Sequence, residues 1–287
     1  MKLSSLHNHT IFCDGEDDIE TMCRSAYEKQ LCAVGFSAHA PVPKHTGIKT
    51  DWHLSEDMLD EYVSEVISAK NRWRGKIDVL LGLEVDYIKG LRSPNDSDIK
   101  SVNADYIIGS VHYVIPPNGA DIFTVDGHWD EFEKGLCEGF NEDGEALMQC
   151  YYDATIDMIL QGGFDILGHA DLIKKNCQNK ILWNKENELI RQKEIAAAST
   201  NIIVEVNTGG LNRKKIDEVY PSKLFLQYFC ENNIPVLITA DAHCAAHIKG
   251  NYDIAINTLK NANFNEHVLF LEKTDNKILW VKEKITS

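Results

Sequence analysis

Short runs of apolar and β-branched residues alternate along this chain with longer stretches in which apolar residues recur at helical spacing. The runs are Leu3–His9, Ala33–His39, Val79–Asp86, Tyr106–His112, Asp165–His169, Ile202–Asn207 and Val236–His243. Between them, Ile19, Met22, Cys23 and Ala26 share one helical face, and a helix from Leu54 to Lys70 starts behind Ser55 as a candidate cap. Ala146–Gln161, Asn184–Ser199 and Ser222–Asn232 repeat the helical pattern. Strand followed by helix, seven times over, predicts parallel strands joined by crossover helices. A last helix near Tyr252–Asn261 precedes VLFLEKTDNKILWV, which reads as a C-terminal β-hairpin around an Asp275-Asn276 turn. The expected fold is one α/β domain over residues 1–287, a seven-stranded (βα)7 barrel. Two irregular segments, Val114 to Asp143 and Pro41–Leu54, are expected as loops over the active face.

Composition narrows the function classes. With 287 residues, 44% of them hydrophobic, the chain can bury one sizeable core. The opening MKLSSLHNHT lacks a long apolar stretch, and no segment approaches the roughly 20 apolar residues of a membrane span. A cytoplasmic protein without a membrane partner is expected. The formal net charge of −15 disfavours a nucleic-acid partner and favours a small substrate. An anionic substrate stays possible, because bound metal ions can reverse the local field. Eight cysteines form no CxxC pair, so reduced, mostly buried thiols are expected.

The histidines carry the chemistry. Of eleven, His7, His9, His39, His112, His169 and His243 fall at or just beyond the C-terminal ends of the expected strands, with His45 a little further on. In a parallel α/β barrel those ends form one rim, so residues distant in sequence converge there. His7 and His9 are two apart on a strand and point to the same face, and Asp241 and His243 repeat that spacing. Glu84 interrupts the apolar run LLGLEVD, and Asp14 lies in the loop after the first strand. Taken singly, each is an ordinary hydrogen-bonded histidine or surface carboxylate. Crowded into one cavity they would be costly unless divalent cations paired them, and the mixed N/O donor set suits Zn²⁺, Fe²⁺ or Mn²⁺.

HNH near the N-terminus, SAHAP at 37–41, GLEVDY at 82–87, GSVH at 109–112, GHAD at 168–171 and ADAH at 240–243 occur in an order that resembles the PHP superfamily, specifically its histidinol-phosphate phosphatases. The resemblance implies a distorted, TIM-like PHP barrel and three divalent metal ions. It implies His7, His9, Glu84 and Asp241 for the first ion, Glu84, His112 and His169 for the second, and His39, His243 and Asp14 for the third. Glu84, Asp241 and His243 are then the catalytic candidates. The implied reaction is hydrolysis of L-histidinol phosphate, a small phosphate monoester of histidine biosynthesis, by in-line attack of water-derived hydroxide. Arg213, Lys174 and His45 are the candidates for substrate binding. Asp171, the 114–143 segment, Trp52, Trp129 and Trp183 are candidates around the histidinol end. The alternatives are a PHP phosphoesterase acting on nucleotides or nucleic-acid 5′ ends, and a metal-binding domain without catalysis.

Overall fold

Parallel pairing begins where the β-branched runs lie side by side. A computed structural model describes residues 1–177, 180, 182–274 and 277–285, so the expected Asp275-Asn276 turn lies outside the described residues. Seven strands run parallel in sequence order: β1 (Ser4–Ser5), β2 (Ala33–His39), β3 (Asp78–Asp86), β4 (Tyr106–Ser110), β5 (Ile166–Leu167), β6 (Ile203–Asn207) and β7 (Val236–Thr239). The C-terminal hairpin, β8 (Glu266–Thr274) and β9 (Lys277–Lys284), is no appendage. β8 pairs with β7 at Val268↔Leu237, which extends the hydrogen-bonded sheet to nine strands instead of the seven expected.

That extra strand explains the distortion of the barrel. Near the N-terminal end of the strands, Ser4 Oγ donates to the Leu269 carbonyl of β8, so the hairpin stands between β7 and β1. Among the described residues the ring closes at the opposite rim, through a parallel bridge of Asn8 to Ala242 with His9 N–H donating to Ala242 O at 2.8 Å and Ala242 N–H to His7 O at 3.2 Å. Closure and the His7/His9 pair therefore occupy the same place.

The period-two alternation of a strand sorts side chains between the barrel interior and the helix-covered exterior. Ala33, Leu80, Tyr106, Ile108, Ile166, Ile203 and Leu237 pack together with Leu6 as an apolar plug at the bottom. On β3 and β7 the next inward position is small or polar, and the one after it is a candidate ligand. β3 reads Leu80, Gly82, Glu84, and β7 with its extension reads Leu237, Thr239, Asp241, His243. The Tyr106 side chain reaches up from this plug, lying where side chains at Gly35 and Gly82 would otherwise project, and its hydroxyl donates to the Leu6 carbonyl.

Helices cover the outside, against Val34, Phe36, Leu81, Leu83 and Val85 of the outward set. Asp18 caps Ile19–Glu28 by accepting from Thr21 N–H at 2.7 Å, and Asp143 and Asn184 cap Gly144–Gln161 and Lys185–Ala198 in the same way. Ser55 does not cap. A 3₁₀ turn, Glu56–Met58, intervenes, and the helix is Leu59–Arg72. The 114–143 segment is also more regular than expected. It holds a hairpin of Tyr113–Val114 with Phe123–Thr124 and a helix, Trp129–Phe140, anchored by Phe132, Leu136 and Phe140. All eight cysteines are free of disulfides, but only Cys23 is fully buried; the rest are partly or fully exposed because they sit on helix flanks and loops.

Candidate metal centre

The rim closure points His7 and His9 into the barrel mouth beside Glu84, the last inward residue of β3. Glu84 is the hub. Its Oε2 lies 3.0 Å from His7 Nε2, 3.1 Å from His39 Nδ1 and 3.5 Å from His9 Nε2. Its Oε1 lies 3.0 Å from His169 Nε2 and 3.7 Å from His112 Nε2, and accepts from Ser110 Oγ at 2.6 Å. Asp241 Oδ1 approaches His9 Nε2 at 3.3 Å and His7 Nε2 at 3.8 Å. The backbone at Asp241 is left-handed, with φ of 47°, a conformation that Asp tolerates better than most residues and that turns the chain back toward Asn8.

Asp14 arrives from the loop after β1. Cys13 and Gly15 N–H groups both fold back onto Thr10 O, at 2.9 and 3.0 Å, and a side chain at Gly15 would collide with that backbone. The turn sets Asp14 Oδ2 at 3.0 Å from His243 Nε2 and Oδ1 at 3.6 and 3.8 Å from His9 and His39. His9 stacks between His39 and His243, with ring centroids 4.3 Å from each.

All nine residues singled out as ligand candidates meet in this one cluster. Four groups of donor atoms converge: His7, His9 and Asp241; His7, Glu84 and His169; His39, Glu84 and His112; and His9, Asp14, His39 and His243. The last group includes His9, which the resemblance assigned to the first ion alone. His9 Nε2 and His39 Nδ1, both facing Glu84, are buried without an aligned hydrogen-bond partner. Buried imidazole nitrogens left in that condition are costly, and a coordinated cation removes the cost. The donor set therefore fits divalent metal ions.

The electrostatics of the cluster follow from its crowding. Burial alone would raise the carboxyls of Glu84 and Asp241, but His7, His39 and His112 around Glu84, and Arg213 and His7 beside Asp241, hold both well below the usual carboxylate range. Burial would lower His7 and His112, yet Glu205 and Glu84 hold His7 well above its ordinary value, and Asp86 with Glu84 pushes His112 up to about 10. Burial prevails at His9 and His39, which fall below theirs. A metal ion bound at His7 or His112 therefore competes with a proton. Because a proton competes for each ligand nitrogen, apparent Zn²⁺ affinity is expected to fall by about tenfold per pH unit of acidification for each displaced proton. Calorimetric titrations between about pH 8 and pH 6, in buffers of differing ionisation enthalpy, check this; a pH-independent affinity with no proton release would contradict it.

A second tier of carboxylates lies behind the histidines. Glu205 accepts from His7 Nδ1 at 2.7 Å, and Asp86 lies 2.9 Å from His112 Nδ1 and 2.8 Å from His53 Nε2. Neither residue was singled out from sequence. Each interrupts an apolar strand run, in IIVEVN and GLEVDY, which is the same signal that drew attention to Glu84.

The cluster opens into a cavity of about 1250 Å³ lined by Asp14, His39, His112, His169, Arg213 and His243 among others. Arg213 follows the short helical turn Gly209–Asn212, where a side chain at Gly209 would strike Asp241 and Asn207. Its Nη2 donates to Asp241 Oδ2 at 3.0 Å and its Nη1 to His243 Nδ1 at 2.8 Å. Lys174 is not brought to the cavity. Its ammonium turns away to Asp171, Glu218 and the Val219 carbonyl, each at 2.9 Å. Lys175 lines the wall in its place, paired with Asp126 at 3.1 Å. His45 is exposed on the 3₁₀ turn Lys44–Thr46, and the cavity wall begins at the next residue, Thr46. Trp52 lines the cavity and stacks on Tyr113. Trp129 and Trp183 pack against the core instead, and Asp171 is buried, accepting from Ser222 N–H at 2.8 Å.

The PHP domain pattern matches residues 5–209, the span from β1 through β6 that supplies seven of the nine clustered residues. The chain belongs to the PHP family. It is 26% identical over 260 residues to a Deinococcus radiodurans protein named "Probable histidinol-phosphatase", covering 90% of this chain and 93% of that one. It is 26% identical to the histidinol-phosphatase of Bacillus subtilis over 265 residues, covering 86% and 96%. Among solved structures, the Lactococcus lactis histidinol phosphate phosphatase complexed with zinc, L-histidinol and phosphate superposes with a TM-score of 0.72 at 21% identity, covering 96% of this chain and 98% of that one. That likeness establishes the fold as a PHP-type α/β barrel. Among the described residues, no helix is long and apolar enough to cross a membrane.

Proposed function

We propose that this PHP protein hydrolyses L-histidinol phosphate to L-histidinol and inorganic phosphate, as a phosphoric monoester hydrolase of histidine biosynthesis. The observation that carries the reading is the convergence of nine nitrogen and oxygen donor residues, with Arg213 beside them, at the head of one cavity. It is supported by relatives named histidinol-phosphatase that match nearly end to end. In this reading three ions, of Zn, Fe or Mn, are held by His7, His9, Glu84 and Asp241, by Glu84, His112 and His169, and by Asp14, His39 and His243. The chemistry such ions supply is Lewis-acid polarisation of phosphoryl oxygens and activation of water near neutral pH.

The chain's own residues do the rest. Glu84, Asp241 and His243 would hold the ions at the head of the cavity, where the phosphate would lie. Arg213 offers a planar fork of donors at the edge of the cluster, a geometry suited to phosphate oxygens. Asp126 lies on the same wall and is the acceptor we assign to the substrate amine, and the Trp52–Tyr113 stack flanks its imidazole. The test is kcat/KM for histidinol phosphate against a panel that includes 3′,5′-bisphosphonucleosides, with metal content measured on the same preparation. A preference for the nucleotides would move the protein to the other phosphoesterase reading, and fewer than two bound ions with no turnover after Mn²⁺ or Zn²⁺ addition would favour a non-catalytic domain.

A further inference from the structure

We infer that Glu205 is a positioning residue that fixes the tautomer of His7 and so determines which nitrogen His7 offers to a metal. The inference rests on the reading of the cluster as a metal centre, but not on the identity of the substrate. Glu205 is completely buried in the middle layer of the barrel, on β6. Four donors converge on its two oxygens. Oε1 accepts from the His169 backbone N–H at 2.6 Å and from Asn207 Nδ2 at 2.8 Å. Oε2 accepts from His7 Nδ1 at 2.7 Å and from Thr239 Oγ1 at 2.8 Å.

A carboxylate in that position can only accept, so His7 must carry a proton on Nδ1. Neutral His7 then presents its lone pair from Nε2, the atom that points at Glu84 and Asp241. The same carboxylate grips the His169 backbone, so one residue orients two candidate ligands, one following β5 and one following β1. An imidazole whose far nitrogen donates to a carboxylate is also the more basic ligand.

Glu205→Gln separates this role from simple packing, because the two side chains have nearly the same shape. The amide must keep its oxygen toward the His169 N–H, which cannot reverse. Its NH₂ then faces His7 Nδ1 and Thr239 Oγ1. The threonine hydroxyl can rotate to accept, whereas His7 can accept only by moving its proton to Nε2, which removes the lone pair aimed at the cluster.

The experiment has two readouts that do not involve substrate. In zinc-loaded wild-type protein with ¹⁵N-labelled histidine, His7 is expected to show a protonated Nδ1, its signal assigned by loss in His7→Gln. An unprotonated Nδ1 there overturns the proposal whatever the variant does. In Glu205→Gln, affinity for Zn²⁺ is expected to fall by about 10- to 100-fold, with the melting temperature and circular dichroism of the metal-free protein retained. Unchanged zinc affinity, or a loss that only tracks unfolding of the metal-free protein, would reduce Glu205 to a structural brace. Failure on histidinol phosphate alone, with both readouts as expected, would revise the substrate and leave the role of Glu205 standing.

Discussion

Glu84→Gln is expected to lower kcat by about 10³-fold or more while far-UV circular dichroism stays that of the wild type. The substitution keeps shape and hydrogen-bonding reach, so β3 retains its register with β2 and β4. What it removes is a buried negative charge that five imidazoles surround. Both Glu84 oxygens face His Nε2 or Nδ1 atoms at 3.0 to 3.7 Å, so an amide nitrogen on either side aims protons at lone pairs needed for coordination. Two of the proposed ion sites would each lose a charged ligand, and a loss of about 4 kcal/mol of transition-state stabilisation corresponds to about 10³-fold in rate. Bound metal measured by plasma mass spectrometry should fall in parallel, because two of the proposed ligand sets share this residue. Near-normal kcat with full metal content would show that Glu84 does not bridge the ions.

Much of this arrangement is readable from the chain because the two periodicities coincide with function. A strand exposes every second residue inward, and on β3 that rule alone carries Leu80 and Glu84 to opposite ends of one interior face. The expected His7/His9 and Asp241/His243 pairs obey the same rule, and the helix Tyr252–Asn261 lies where its apolar spacing placed it. What escaped the sequence reading depends on contacts between distant segments. Glu205 looks like a solitary polar residue in IIVEVN until His7, His169 and Thr239 are seen to meet on it. Lys174 and Lys175 are adjacent and chemically alike, and only the position of Asp171 and Glu218 decides which of them turns away from the cavity. The nine-stranded sheet was equally hidden. The hairpin signal was plain, but nothing local to Val268 announces that it pairs with Leu237. The hairpin and helix within 114–143 were masked by Pro116, Pro117 and scattered glycines, which suggested loop although apolar anchors such as Phe132 and Phe140 were present.

Arg213→Ala is expected to lower kcat/KM for histidinol phosphate by about 10²-fold, chiefly through KM, in keeping with the loss of one or two charged hydrogen bonds. Arg213 places Nη2 on Asp241 Oδ2 and Nη1 on His243 Nδ1. Coordination of a cation by His243 would change the second of these contacts. A neutral His243 that gives Nε2, the atom facing Asp14, to a cation must carry its proton on Nδ1, and Nδ1 can then donate to the Asp241 carbonyl 3.0 Å away. Two donors cannot share that site, so Arg213 Nη1 loses its acceptor and is left with the cavity, where a phosphate oxygen supplies one. The bond to Asp241 meanwhile keeps the guanidinium in place. This predicts that inorganic phosphate binds the metal-loaded protein far more tightly than the metal-free form, and that Arg213→Ala weakens phosphate inhibition about as much as it raises KM. Arg213→Lys should recover little, because a single ammonium cannot hold Asp241 and face the cavity at once. Steady-state kinetics with phosphate as a competitive inhibitor, run on all three proteins at matched metal content, give the answer; equal KM and inhibition constants in wild type and Arg213→Ala would show that this arginine does not hold the phosphate.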